Sequence, residues 1–327
     1  MMFWDLLTKS IVCALLAAPA YPQRPAIPLT PEGHPDLQGN WVDNFATPFE
    51  RPKELEGRSF LTDQEVTEMK KRFDRLFKNG SSDLTTVNNL FQILLANPGR
   101  YVNPNSGGDS TFLGEVEFDN RTSLITDPPN GRLPEYTPTG EQRRSIILAA
   151  MSGKLHRESI KDLRPSERCI SFGVPRVGAA YGKGLGYGYY QIVQTSDNVV
   201  FFMEVAHEAR IIPLDGRPHL PAAIGTWDGD SRGRWEGGTL VIDSTNFRPE
   251  TNYLGAGENL HLIERFRLAG PDELQYEIHV EDPTTWTRPW SAMVRLQRTK
   301  EQLYEFACHE GNELNIEGLL AAAAKDK

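Results

Sequence analysis

The chain has 327 residues, of which 39% are apolar, 24% charged and 9% aromatic, values that exclude a disordered chain and leave room for one large domain or two modest ones. Its formal net charge of -9, with no Lys/Arg-rich run, argues against a nucleic-acid partner. The 23 prolines and 28 glycines favour many turns, which suits β-rich architecture better than a helical bundle.

Residues 1–20 follow the order of a secretory signal: a short polar start, an apolar run over residues 11–18, then Ala18-Pro19-Ala20 as small cleavage-site residues. The apolar run is too short for a permanent membrane anchor, and no later segment is long and apolar enough to span, so a soluble periplasmic or secreted protein is expected. Cys13 lies inside the run and not at its end, which does not fit a lipoprotein cysteine. Residues 21–60 are rich in Pro, Gly and Asp and read as an extended N-terminal arm, anchored by Trp41 and Phe45.

Residues 61–168 read as a helical and irregular region packed on the body. A helix is expected over 61–78. Thr62 and Glu65 match a capping box, Val66, Met69, Phe73, Leu76 and Phe77 form one apolar stripe, and Asn79-Gly80 ends it. A weaker helix is expected from Val87 to Ala96. Residues 123–126 look like a strand before the turn Pro128-Pro129-Asn130-Gly131. Thr139 and Gln142 suggest a second capping box opening a helix that ends near Gly153.

Residues 169–327 read as an antiparallel β domain with a C-terminal helix over 314–325. Strands are expected at 199–205, 210–214, 239–243, 261–268, 273–281, 293–296 and 303–307, the first two joined as a hairpin. Such strands must hide their edges, so the fold expected is mainly β, a lipocalin-like antiparallel barrel or a sandwich, and α+β over the whole chain. The Gly-rich stretch 181–190, which carries Tyr187, lacks the strand–turn–helix setting of a nucleotide loop; it reads as a lid over a ligand or as a mere insertion. Residues 227–233 faintly echo a calcium loop but lack its ligands, so a polar turn is expected there.

Two cysteines remain after the signal, Cys169 and Cys308. In an oxidising compartment they suggest a disulfide, against the alternative of two separate buried thiols; a bridge would contribute about 3–5 kcal/mol on the chain-entropy model.

Imidazole moves protons near neutral pH, so the histidines of the β-rich half are the first candidates for acid–base work: His207, His219, His261 and His309. The hairpin would place His207 and His219 on one rim. Alternation puts His261, Ile263 and Arg265 on one face of their strand and sends Glu264 inward with Leu262 and Phe266. There Glu264 is either a proton carrier with a raised pKa in an apolar lumen or one half of a buried ion pair. Arg217, Trp227, Tyr187, Trp286 and Trp290 supply the cation and rings of a pocket for a small, partly apolar molecule, or else core packing. No H-x-H, H-E-x-x-H or paired C-x-x-C occurs, so no cofactor is expected, and metal binding would need distant histidines to converge. No G-x-S-x-G elbow occurs, which excludes a standard α/β-hydrolase.

Several stretches resemble a large group of exported bacterial proteins of uncharacterised function. They are Asp215-Gly216-Arg217-Pro218-His219, residues 227–243 (WDGDSRGRWEGGTLVID), Glu258-Asn259-Leu260-His261 and Cys308-His309-Glu310-Gly311-Asn312. Asp36–Trp41 and Thr126–Arg132 fit as well, whereas Gly238 stands where the group usually has an acid. The resemblance implies export and a single continuous unit; it carries no activity. The residues themselves favour a cofactor-independent isomerase, lyase or hydratase acting on a small cyclic or aromatic molecule. A lipocalin-like carrier and a His-ligated metal enzyme are the two alternatives.

Overall fold

The structure is a computed structural model and describes residues 26–77, 87–99, 116–151, 157–175, 188–204, 207–251 and 253–325. The signal segment and Tyr187 therefore lie outside the described residues.

Alternating apolar residues build the sheet. Its strands are β1 (Gly39–Asp43), β2 (Ile125–Asp127), β3 (Gly188–Gln194), β4 (Asn198–Met203), β5 (Glu208–Pro213), β6 (Asp230–Glu236), β7 (Thr239–Thr245), β8 (His261–Gly270), β9 (Glu273–Glu281) and β10 (Trp290–Thr299). Nine run in the order β5-β4-β3-β1-β10-β9-β8-β7-β6, each antiparallel to its neighbours, and β2 adds to β10. The sheet curls into a nearly closed barrel. Leu262, Phe266 and Leu268 of β8 and Leu274, Tyr276, Ile278 and Val280 of β9 point into its core.

The seam follows from arithmetic. In a barrel with an odd number of strands, one neighbouring pair must run parallel, and here that pair is β5 and β6. Arg210 of β5 bonds Ser231 of β6 further down, while Ile212 and Leu214 lie against Gly233. No backbone ladder joins these two strands, so side chains close the gap. A Cβ on Gly233 would stand 2.6 Å from Leu214 Cδ2 and 2.9 Å from Ile212 Cγ2, which explains why this position carries none.

The helices are α1 (Asp63–Phe77), α2 (Val87–Ala96), α3 (Pro138–Met151) and α4 (Asn312–Lys325). The capping box of α1 is present: Thr62 N donates to Glu65 Oε2 at 2.8 Å and Glu65 N to Thr62 Oγ1 at 3.2 Å. Met69, Phe73 and Leu76 of α1 and Leu90, Phe91 and Leu94 of α2 form a small second core. The cap of α3 differs from the expected Thr139 box: Thr137 Oγ1 accepts from Gly140 N at 3.0 Å.

Four sequence expectations change. The N-terminal arm is not an arm throughout, because β1 sits mid-sheet between β3 and β10, so the sheet does not begin at Cys169. Its one inward ring, Trp41, is fully buried under the Arg298 guanidinium, 4.3 Å from the ring centre. The polar turn at 227–233 becomes strand β6 from Asp230 on. Part of the Gly/Tyr loop is strand β3. Residues 303–307 form no strand. Cys169 and Cys308 are bridged, with Cα atoms 5.8 Å apart across 139 positions of sequence. Among the described residues no helix is long and apolar enough to cross a membrane.

Candidate functional site

Two polar clusters arise from the period-2 alternation of the same strands. The inner one forms where Arg210, Ser231, Ser244, Glu264 and Tyr276 point into the lumen. Arg210 Nη2 lies 2.5 Å from Glu264 Oε2 and donates to Ser244 Oγ at 2.7 Å; Tyr276 OH donates to Glu264 Oε1 at 2.6 Å. Glu264 is thus inward as alternation predicts, but its surroundings are not apolar: it is half of a buried ion pair. Burial pulls the Arg210 guanidinium down, and the Glu264 carboxylate beside it more than compensates, leaving it raised. Burial, then the Glu264 charge, pushes the Tyr276 phenol well above its ordinary value. Beside this cluster Val174, Tyr190, Ile192, Phe201, Met203, Phe266 and Leu296 leave a cavity of about 20 Å³. That volume suits one water, not a ring.

The outer cluster runs across five strands as a line of imidazoles and carboxylates. Asp230 opens β6, Asp243 points outward from β7, His261 from β8, His279 and Glu281 from β9, and Ser291 from β10. His261 faces Glu281 across the β8–β9 ladder, and His279 faces Ser291 across β9–β10. His219 reaches in from the segment between β5 and β6.

The contacts are continuous. His219 Nδ1 lies 2.9 Å from Asp230 Oδ2, and its Nε2 lies 3.3 Å from Asp243 Oδ1. The same Asp243 oxygen is 3.2 Å from His261 Nε2. His261 Nδ1 is 3.5 Å from Glu281 Oε2, and His279 Nε2 is 3.0 Å from Glu281 Oε1. His279 Nδ1 ends the line at Ser291 Oγ, 2.9 Å away. Asp230 is itself held by Leu220 N–H at 2.9 Å and by Arg232 Nη1 at 2.7 Å. The bond from His279 above all holds the Glu281 carboxyl below the usual carboxylate range; burial opposes it, and the contact with His261 adds to the lowering.

Asp230 is buried, but the central side chains of the line are partly open to solvent: 30% for His219, 29% for Asp243 and 34% for His261. A molecule from solution can therefore reach them, which is not true of Glu264 at 1%.

The structure brings His219 and His261 together through Asp243 and leaves the other described site residues apart from them. His207 is exposed at the β4–β5 turn, edge-on to the Phe202 ring at 4.7 Å. His309 is exposed in the turn after Cys308. Arg217 is exposed and paired with Asp215. Trp227 lies under the Arg248 guanidinium, 4.5 Å from the ring centre. Trp286 and Trp290 correct the pocket reading. They are 1% and 0% exposed and pack edge-to-face in the core, where they offer no wall to a ligand.

Sequence reasoning missed Asp230, Asp243, His279 and Glu281 as members of the line. A signal for two of them was present: the tight turn at 270–272 pairs residues 261–268 with 274–281, and alternation then puts His279 and Glu281 on the face of His261. Asp43 was missed as well. It shares the face of Trp41 on β1, and burial pushes its carboxyl up to about 7, against the opposing pull of the Phe45 N–H and Arg121.

Among the described residues no group of three or more His, Cys, Asp or Glu side chains is placed so that it could hold a metal ion. In comparison with known proteins, the sequence matches no family model and no curated protein.

Proposed function

We propose that this is an exported enzyme that moves protons on a small cyclic or aromatic molecule, as an isomerase, lyase or hydratase does, with its chemistry on the outer line of imidazoles. One observation carries the reading: the Nε2 atoms of His219 and His261 converge on a single oxygen, Asp243 Oδ1, at 3.3 and 3.2 Å. Two groups able to accept or donate a proton thus stand over one accessible spot. A proton taken by one ring can be returned by the other, which is what an isomerisation needs.

The flanking carboxylates fix ring orientation. Asp230 holds Nδ1 of His219, and Glu281 stands at Nδ1 of His261, so an imidazolium formed on either ring faces a negative charge. His279 and Ser291 extend the line toward β10 and supply a route for the proton away from the reacting spot. Glu264, His207 and His309 have no part in this mechanism. The disulfide supports the export reading, since such bonds persist in oxidising compartments.

The elementary step can be sought without knowing the net reaction. Cyclic ketones, lactones and enones are incubated with the protein in D₂O, and deuterium uptake next to the carbonyl is followed by NMR. At least one compound should exchange, and His219→Ala, His261→Ala and Asp243→Asn should each slow it by about 10²–10⁴-fold. Exchange at an equal rate with all three variants, or none with any compound, overturns the proposal.

A further inference from the structure

We propose that Ser291, His279 and Glu281 form a nucleophile–base–acid set that cleaves small esters. In the reading above these residues only relay a proton or orient a ring; here they carry a second activity, in which the two Nε2 atoms over Asp243 take no part.

Register brings the three side chains together. Ser291 of β10 is the Cα partner of His279 on β9, and Glu281 lies two residues further along β9 on the same face. Two close contacts join them: His279 Nδ1 is 2.9 Å from Ser291 Oγ, and His279 Nε2 is 3.0 Å from Glu281 Oε1. The set is open to solvent, with side-chain exposures of 38% for His279 and 43% for Glu281, and Ser291 is half-buried.

The proton count fixes the direction of each bond. A carboxylate only accepts, so Nε2 of a neutral His279 carries the N–H and donates it to Glu281. Nδ1 is left with a lone pair, and the Ser291 hydroxyl donates to it. Both nitrogens of His279 are thus matched, one by an acceptor and one by a donor. His219, by contrast, faces a carboxylate at each nitrogen. A hydroxyl held by an imidazole that an acid orients is the arrangement of an activated serine, and it is defined by geometry and roles, not by fold or chain order.

The far side of Ser291 carries a cation. Asp127 of β2 is the other Cα partner of Ser291 and accepts from Arg288 Nη2 at 2.6 Å. Arg288 Nε donates to Pro289 O, and Nη1 has no partner among the described residues. This half-exposed guanidinium is available to the negative charge that develops on an acyl oxygen.

The step is an acyl transfer. Ser291 Oγ attacks the ester carbonyl carbon while its proton passes to His279 Nδ1. The bond from that carbon to the alcohol oxygen breaks, and the alcohol leaves with the proton from Nδ1. Water then attacks the acyl-serine and gives a proton to Nδ1; the acid leaves as Ser291 Oγ takes that proton back. Ester and water become acid and alcohol. Glu281 stays charged throughout and faces the imidazolium.

A fluorophosphonate reports the nucleophile, since its phosphorus bonds to an activated serine oxygen as fluoride leaves, and p-nitrophenyl acetate reports turnover. One equivalent of label should be found on Ser291 by peptide mass spectrometry. Ser291→Ala should abolish labelling and turnover, and His279→Ala should slow labelling about 10²–10⁴-fold. Glu281→Gln should slow it less, and Glu281→Asp should recover part of that loss, which a merely structural role would not produce. Circular dichroism of each variant separates loss of the site from loss of the fold. A folded wild type that stays unlabelled at Ser291, labelling at an equal rate in His279→Ala, or ester hydrolysis unchanged in Ser291→Ala overturns the site. His219→Ala, expected to remove deuterium exchange, should still be labelled, so failure of one claim is distinguishable from failure of the other.

Discussion

The inner and outer polar clusters share strands β6 to β9 and differ in what solvent does to them. On β8 the two lie three residues apart: Glu264 points inward to Arg210 and Tyr276, while His261 points outward to Asp243 and Glu281. Inside, the charges are buried together. Removing one partner would strand the other, so their interaction is mainly a constraint on folding. Outside, apart from the buried Asp230, water screens the pairs that His261, Asp243 and Glu281 make, so the same kind of contact contributes little to stability and remains free to exchange protons or bind a ligand. Burial, not residue type, separates the structural acid from the accessible ones.

The sharpest test of this contrast is Glu264→Gln. It leaves Arg210 buried without its counter-charge and should destabilise the protein by about 3–5 kcal/mol in urea unfolding. A loss below about 1 kcal/mol would mean that the lumen is wet and the two clusters are alike.

Asp43 probes the inward face of β1 by pH. Its folded pKa is raised to about 7 from 3.8. As pH rises from about 4 to 7, the unfolded chain releases this proton while the folded chain keeps it, so stability falls by up to about 1.4 kcal/mol per pH unit. Above 7 the penalty is constant. Asp43→Asn should therefore match the wild type near pH 3 and exceed it at pH 8; parallel stability–pH curves for the two proteins would contradict the assignment.

Gly233→Ala tests whether the seam is closed by packing. The new methyl would overlap Leu214 and Ile212, and a loss of about 1–3 kcal/mol is expected in thermal unfolding. An unchanged melting temperature would show β5 and β6 to be loosely apposed.

The smallest effect on stability belongs to the outer line. A double-mutant cycle on Asp243 and His261 should give a coupling of about 0.2–1 kcal/mol, although the same substitutions remove deuterium exchange. A coupling above about 2 kcal/mol would move this line into the structural class of the inner cluster.

Alternation alone told the inside from the outside. Leu262, Glu264 and Phe266 turn inward and His261 outward as the period of two requires, and the helix at Val87–Ala96 and the Thr62–Glu65 box follow from local pattern. These features depend on neighbours within a few residues. Strand β1 did not show itself, because five residues with one buried ring become a strand only when β3 and β10 flank them. Strand β6 was hidden because at the seam its inward face is Ser231 and Gly233, small or polar residues that break the apolar alternation.

By itself, then, the order of amino acids determined the β character, the cysteine pair and the direction each strand residue points, since these follow from local sterics and from a count of two thiols. Only the tertiary structure decided that His219 meets His261 over Asp243, that Glu264 pairs with Arg210, and that Trp286 and Trp290 are core. Each of those outcomes depends on which distant strands become neighbours and in what register, and register is set by the packing of the whole barrel.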